Sequence, residues 1–194
     1  MAFSGKKDGK QPIAEMIAEM KYSAALVSKA TMRITVRGRS FDIDRYEFPN
    51  RDGSLPRGGM TFEDADLACG SAGKRLCTDE EWTAACRSKN LRKYSYSGKF
   101  GKNICHSLHQ EHQVSASGAF TECKTADGIY DMNGNLWEWV TPSPTTGALR
   151  AKGGSFRDGE LAQRCVFVFK LFKPQEKYLS FDNFGARCCK DVSP

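Results

Sequence analysis

The run Gly128-Ile-Tyr-Asp-Met-Asn-Gly-Asn-Leu-Trp-Glu-Trp-Val140 constrains the fold more than any other stretch of this chain. Asn133-Gly134-Asn135 marks a turn, because Gly and Asn reach positive φ at little cost. Past it, residues 136–140 alternate like a strand, with Trp137 and Trp139 on one side and Leu136, Glu138 and Val140 on the other. Two Trp on one side make this a core strand. The carboxylate opposite them then needs a partner or water. Calcium is one candidate, since it takes carboxylate and backbone carbonyl oxygens from a single tight loop. Asp131 and Glu138, with the carbonyls of Gly134 and Leu136, would supply four ligands. A turn with two solvated acids is the alternative reading.

Other elements can be read along the chain. Residues 11–30 read as a helix, with Ile13, Met16, Ile17 and Met20 at helical spacing. Its apolar face packs either on its own domain or on a partner, as an oligomerisation or attachment helix would. Met32–Val36 and Phe41–Glu47 alternate as strands on either side of Arg37-Gly38. Residues 49–60 form a loop. Thr61 caps a short helix that carries Ala65 and Cys69 on one face. Thr78-Asp-Glu-Glu81 is a capping box, followed by a helix that presents Trp82, Ala85 and Cys86. Residues 88–127 are polar and irregular. Their three histidines, His106, His109 and His112, have no recurring Cys or acid beside them, which favours a solvated loop over a zinc site. Leu149–Phe156 reads as a strand broken at Gly153-Gly154, where backbones approach closely. Arg164–Phe172 has apolar residues on both sides, so it is a strand buried twice or one with an exposed sticky face.

The net charge of +6 is uneven. Residues 1–40 hold eight Lys/Arg against three Asp/Glu, leaving +1 for the rest. That puts the basic excess in an N-terminal extension, residues 1–38, and gives no reason to expect a specific nucleic acid ligand. The remainder, 39–194, forms the main domain. No stretch approaches the roughly 18 apolar residues of a membrane span. Eight cysteines in a loop-rich chain read as disulfides, which implies an oxidising setting, although no secretory leader is visible. A removed leader, release by lysis and retained thiols would each reconcile the two. If Cys188 and Cys189 lie on a strand they face opposite ways and take different partners.

Several motifs together carry a resemblance. They are Phe41-Asp-Ile-Asp-Arg-Tyr-Glu47, Gly73-Lys-Arg-Leu-Cys-Thr-Asp-Glu-Glu-Trp82, Gly128–Val140, Gly153-Gly154-Ser155 and Phe184-Gly-Ala-Arg-Cys188. In this order they resemble the formylglycine-generating-enzyme (sulfatase-modifying factor) family. The resemblance implies an α+β, C-type-lectin-like fold with much irregular structure. It also implies calcium at Asp131, Gly134, Leu136 and Glu138. The family's enzymes oxidise a substrate cysteine with a copper-bound cysteine pair. Here the corresponding positions after Gly153-Gly154-Ser155 are Asp158 and Gln163, so no copper is expected, because copper(I) needs soft thiolates.

Two function classes follow from this departure. One is a non-catalytic binding protein, similar to the variable proteins of diversity-generating retroelements, which present a rewritten C-terminal segment to a protein or surface ligand. Phe156, Arg157, Asp158, Phe167, Phe169, Phe172, Lys173 and Tyr178 would form that surface, since aromatic and Arg side chains anchor interfaces. An extracellular, cell-surface or virion-associated location would suit it. Core filling is the other use for these Phe side chains. The second class is an oxidase or other enzyme of the family acting on a thiol or amine. It would need Cys165, Cys188 or Cys189 free and activated.

Overall fold

The computed structural model describes residues 30–108, 113–171 and 181–192. The expected helix of the N-terminal extension lies outside these, as do His109, His112, Phe172, Lys173 and Tyr178. Among the described residues, two helices and eight short strands form a mixed α+β domain in which loops carry much of the chain.

The first sheet has the order β1-β2-β8-β3, with β1 Thr31–Val36, β2 Arg39–Asp44, β3 Arg75–Leu76 and β8 Cys188–Asp191. Its neighbours are all antiparallel. Arg37 and Gly38 close the β1–β2 hairpin with φ of 48° and 78°, the twist that a two-residue hairpin requires. β1 is paired with β2 along its whole length, from Thr31↔Asp44 to Val36↔Arg39. A division at residue 38 therefore falls inside a hairpin, and β1 packs with the main domain.

The second sheet has the order β6-β5-β4-β7, with β4 Trp137–Val140, β5 Leu149–Lys152, β6 Phe169–Leu171 and β7 Phe184–Ala186. β4 runs parallel to β7 and antiparallel to β5. All four residues of β4 are buried, as the Trp pattern requires. Trp139 donates its indole N–H to the Met60 carbonyl at 2.9 Å. The run 164–172 is not one long strand. Residues 160–166 form turns, with Gln163 and Cys165 buried and Leu161 and Val166 exposed, and among the described residues of the run Phe169–Leu171 pairs, as the edge strand of this sheet.

Helix α1, Phe62–Ser71, starts at a capping box formed by Thr61 and Asp64. Helix α2, Asp79–Arg87, starts at one formed by Thr78 and Glu81. Each box satisfies amides that the first turn leaves unpaired. Buried Ala65 and Cys69 face inward from α1, and buried Trp82, Ala85 and Cys86 from α2.

All eight cysteines are paired, as Cys69–Cys188, Cys77–Cys189, Cys86–Cys165 and Cys105–Cys123. Neighbours on β8, Cys188 and Cys189 bond on opposite sides to α1 and to the segment before α2, as strand alternation demands. Cys86–Cys165 fastens the C-terminal segment to α2.

Candidate functional site

The turn 131–136 is built as a brace. Asp131, Gly134 and Asn135 take φ of 57°, 80° and 58°. A Cβ on Gly134 would lie 2.3 Å from the His106 carbonyl oxygen, so only glycine fits there. Both Asn side chains tie distant segments together. Asn133 accepts from the Ser95 amide at 2.7 Å and donates to the Gln163 carbonyl at 2.6 Å. Asn135 accepts from the Ser115 amide at 2.9 Å and donates to Glu47 at 2.6 Å. Glu47 also accepts the Leu136 amide at 3.0 Å.

Below this brace lies a buried charge cluster. Glu138 is fully buried, and its partner is Arg187, also fully buried. The guanidinium meets both carboxylate oxygens, with Nε at 3.0 and 2.9 Å and Nη2 at 2.7 Å from Oε1. The Trp82 indole adds a bond to Oε2 at 2.6 Å. Arg187 spends its other N–H groups on the carbonyls of Asp44 and Tyr130, at 3.0 and 2.8 Å. Burial, and then the charges of Asp131 and Glu138, push the Glu47 carboxyl well above its ordinary value. Burial also raises Asp131, to about 6, against one amide bond from Gly118 that favours the charged form.

In the expected calcium set Asp131, Gly134, Leu136 and Glu138, both carboxylates have protein partners, Asp131 the Gly118 amide and Glu138 the Arg187 guanidinium. Both Glu138 oxygens accept from the Arg187 guanidinium, and Oε2 accepts from the Trp82 indole as well. Among the described residues no group of three or more His, Cys, Asp or Glu converges to hold a metal. Arg187 supplies the counter-charge that the buried Glu138 carboxylate needs. Sequence reasoning selected neither Glu47 nor Arg187. Both stood in quoted motifs, but a partner 49 residues away has no local spacing that reveals it. His106 is buried, with Nε2 2.8 Å from the Gln113 carbonyl, which fits a packing role.

The expected ligand surface divides. Phe156 is 1% exposed and packs inside, because residues 155–158 turn back beneath the surface. It is a core residue and is withdrawn from the candidate surface. Asp158 is half-buried and caps that turn, accepting the Ser155 amide at 2.9 Å and hydroxyl at 2.5 Å. Arg157 is exposed and makes a bidentate pair with Asp182, at 2.6 and 2.5 Å. Phe167 and Phe169 are half-buried and lean on Trp137, with ring centroids 6.1 and 5.5 Å away. The exposed apolar residues of this region are Leu161, Val166 and Phe181, none of which the sequence singled out. A Val between a Cys and a Phe looks like core; only the turn at 160–166 turns it outward.

Asp158 and Gln163 are joined by a bond from the Gln163 side-chain amide to the Asp158 backbone carbonyl at 3.1 Å. Cys165, Cys188 and Cys189 are each half of a disulfide and offer no thiolate.

Comparison with known proteins agrees with this construction. Solved structures of the same fold include Treponema denticola variable protein 1 (TM-score 0.71, 12% identity, 84% of this chain and 95% of that one). They also include PvdO from Pseudomonas aeruginosa (TM-score 0.64, 16% identity, 84% and 90%). Inactive C-alpha-formylglycine-generating enzyme 2 of Mus musculus is 28% identical over 156 residues, 71% of this chain and 50% of that protein. Its Bos taurus counterpart is 33% identical over 148 residues, 66% and 48%. The chain thus spans about half the length of these curated relatives. The model of the sulfatase-modifying factor enzyme 1-like domain matches residues 14–192. A match over nearly the whole chain, with the motifs set around one braced turn, means that this chain belongs to the sulfatase-modifying factor enzyme family.

Proposed function

We propose that this protein is a non-catalytic binding module, which displays its C-terminal segment to a protein or surface ligand on a disulfide-stapled lectin-like scaffold. One observation carries the reading: Cys165, the cysteine nearest the enzymes' thiol positions, is bonded to Cys86 and serves to fasten the display segment. That segment presents exposed Arg157, Leu161, Val166, Lys170 and Phe181 on a fixed frame, the mixture of apolar and cationic side chains that interfaces use. Solved structures of this fold titled as variable protein and as Major Tropism Determinant variants support a diversified display role. The four disulfides support a place outside the reducing cytosol, at a cell or virion surface.

Sequencing the locus in sibling isolates tests the display reading. Substitutions should concentrate at the exposed positions 157, 161, 166, 170 and 181 and spare Phe156, Trp137 and the cysteines. A segment as invariant as β1–β2 would count against it. Once a ligand is found, R157A/V166A/F181S should weaken it by at least ~tenfold with the melting temperature nearly unchanged, since hot spots contribute ~2 kcal/mol or more each.

A further inference from the structure

The sequence of residues 11–30 predicts a helix with its apolar side chains on a narrow seam. Ile13, Ile17, Met20, Ala24 and Val27 are spaced four, three, four and three apart, the a/d repeat of a coiled coil. Glu15, Glu19, Lys21 and Lys29 all fall off that seam. The repeat stops at the domain, since the next seam position is Thr31, the first residue of β1.

The structure shows how this segment meets the domain. Ala30 is helical and Thr31 follows it directly into β1, with no linker between. The Ala30 carbonyl accepts the Arg45 amide at 2.9 Å and the Asn50 side-chain amide at 2.8 Å. Asn50 also donates to Asp44 at 3.0 Å and accepts the Tyr46 amide at 3.0 Å. The exit is a braced joint, which fixes the direction in which a helix would leave the domain. The surface beside it is polar. On the outward side of β1 and β2, Arg33 pairs with Asp42 at 2.8 Å and Thr35 meets Ser40 at 2.8 Å. Among the described residues, the first exposed large apolar side chain along the chain is Leu55, so none lies in β1 or β2.

We propose that residues 11–30 join this chain to a second copy of itself, as parallel helices whose seams face each other. A seam at coiled-coil spacing calls for a helix of the same repeat, and a second copy brings one in register. Beside the exit, β1 and β2 offer it polar side chains instead. Antiparallel pairing over the same seam would run residues 1–12 of each chain past the other's exit, where β1 begins. Parallel pairing keeps both domains at one end. Two display surfaces then hang from one stalk, and two weak contacts with a surface reinforce each other. That use rests on the display reading; the pairing itself does not.

The test is sedimentation equilibrium of the full chain through a dilution series. The wild type should weigh as two chains and dissociate on dilution. I17E/M20E puts two acids on the seam and should weigh as one chain at every concentration, because the pair would have to bury them. A18E/A25E, off the seam, should remain paired. V27C should give a disulfide-linked pair on a non-reducing gel, since parallel helices bring the two thiols together. A wild type with any mass other than two chains at high concentration would overturn the proposal. So would pairing that survives I17E/M20E, pairing lost in A18E/A25E, or V27C without a cross-link. An invariant C-terminal segment would remove the display reading and leave the pairing standing.

Discussion

Arg187 and Glu138 form a fully buried pair, and each leaves a costly orphan if the other is removed. Arg187→Met strands Glu138 beside Glu47 and Asp131, and should cost ~3–5 kcal/mol in urea unfolding. Arg187→Met with Glu138→Leu should recover much of that loss, because no charge is then left without a partner. Asp131 makes a second prediction. Its carboxyl is raised by burial to about 6, above the ordinary 3.8. A raised carboxyl favours the folded state while protonated, so its contribution is present below about pH 4 and is lost as pH rises to about 6. Asp131→Asn should remove that slope from a plot of melting temperature against pH. Asn suits the site, since it tolerates the φ of 57° found there. A slope unchanged in the variant would place the titration elsewhere.

At the scale of elements, the sequence was most informative where a pattern was local. The Thr78 capping box, the Thr61 cap, the β1–β2 hairpin, the Trp pair of β4 and the opposite facing of Cys188 and Cys189 follow from spacing within a few residues. The segment 153–187 was least legible. Phe156 is drawn inside by the turn at 155–158, and the apolar run 164–172 was divided into a surface turn and a three-residue edge strand. Alternation alone does not tell which residue of such a run pairs with β5. The Cys86–Cys165 disulfide is what holds this segment to α2. Replacing both cysteines by Ala should cost ~2–4 kcal/mol. Hydrogen exchange should then quicken across 155–171 and leave β1–β2 unchanged. Uniform acceleration would mean that the segment is not a separately fastened unit. Gly134→Ala should be more damaging than a surface change, because its Cβ would overlap the His106 carbonyl.

Taken as a whole molecule, the chain adds long-range ties to two buried apolar clusters. Glu47 to the turn, Arg187 to Glu138, and the disulfides Cys69–Cys188 and Cys77–Cys189 join segments far apart in the chain, and none of these pairings shows in a sequence window. The fold class was still readable, because ordered motifs identify the family even where they do not reveal what their residues touch. The same ties set the expected response to metal. With Arg187 seated on Glu138, millimolar calcium should leave the melting temperature within about 1 °C, as expected for a ligand with no site in the folded state. A rise of several degrees, abolished by Glu138→Gln, would return Asp131, Gly134, Leu136 and Glu138 to calcium.

The reading of this protein as a stapled display scaffold rests on its having no thiol to oxidise a substrate. The direct measurement is alkylation of the unreduced, denatured protein followed by mass spectrometry, with copper determined on the same sample. All eight cysteines should resist alkylation without reductant, and copper should not accompany the protein. An alkylated Cys165 with copper bound would contradict the account and return the chain to the oxidases of its family.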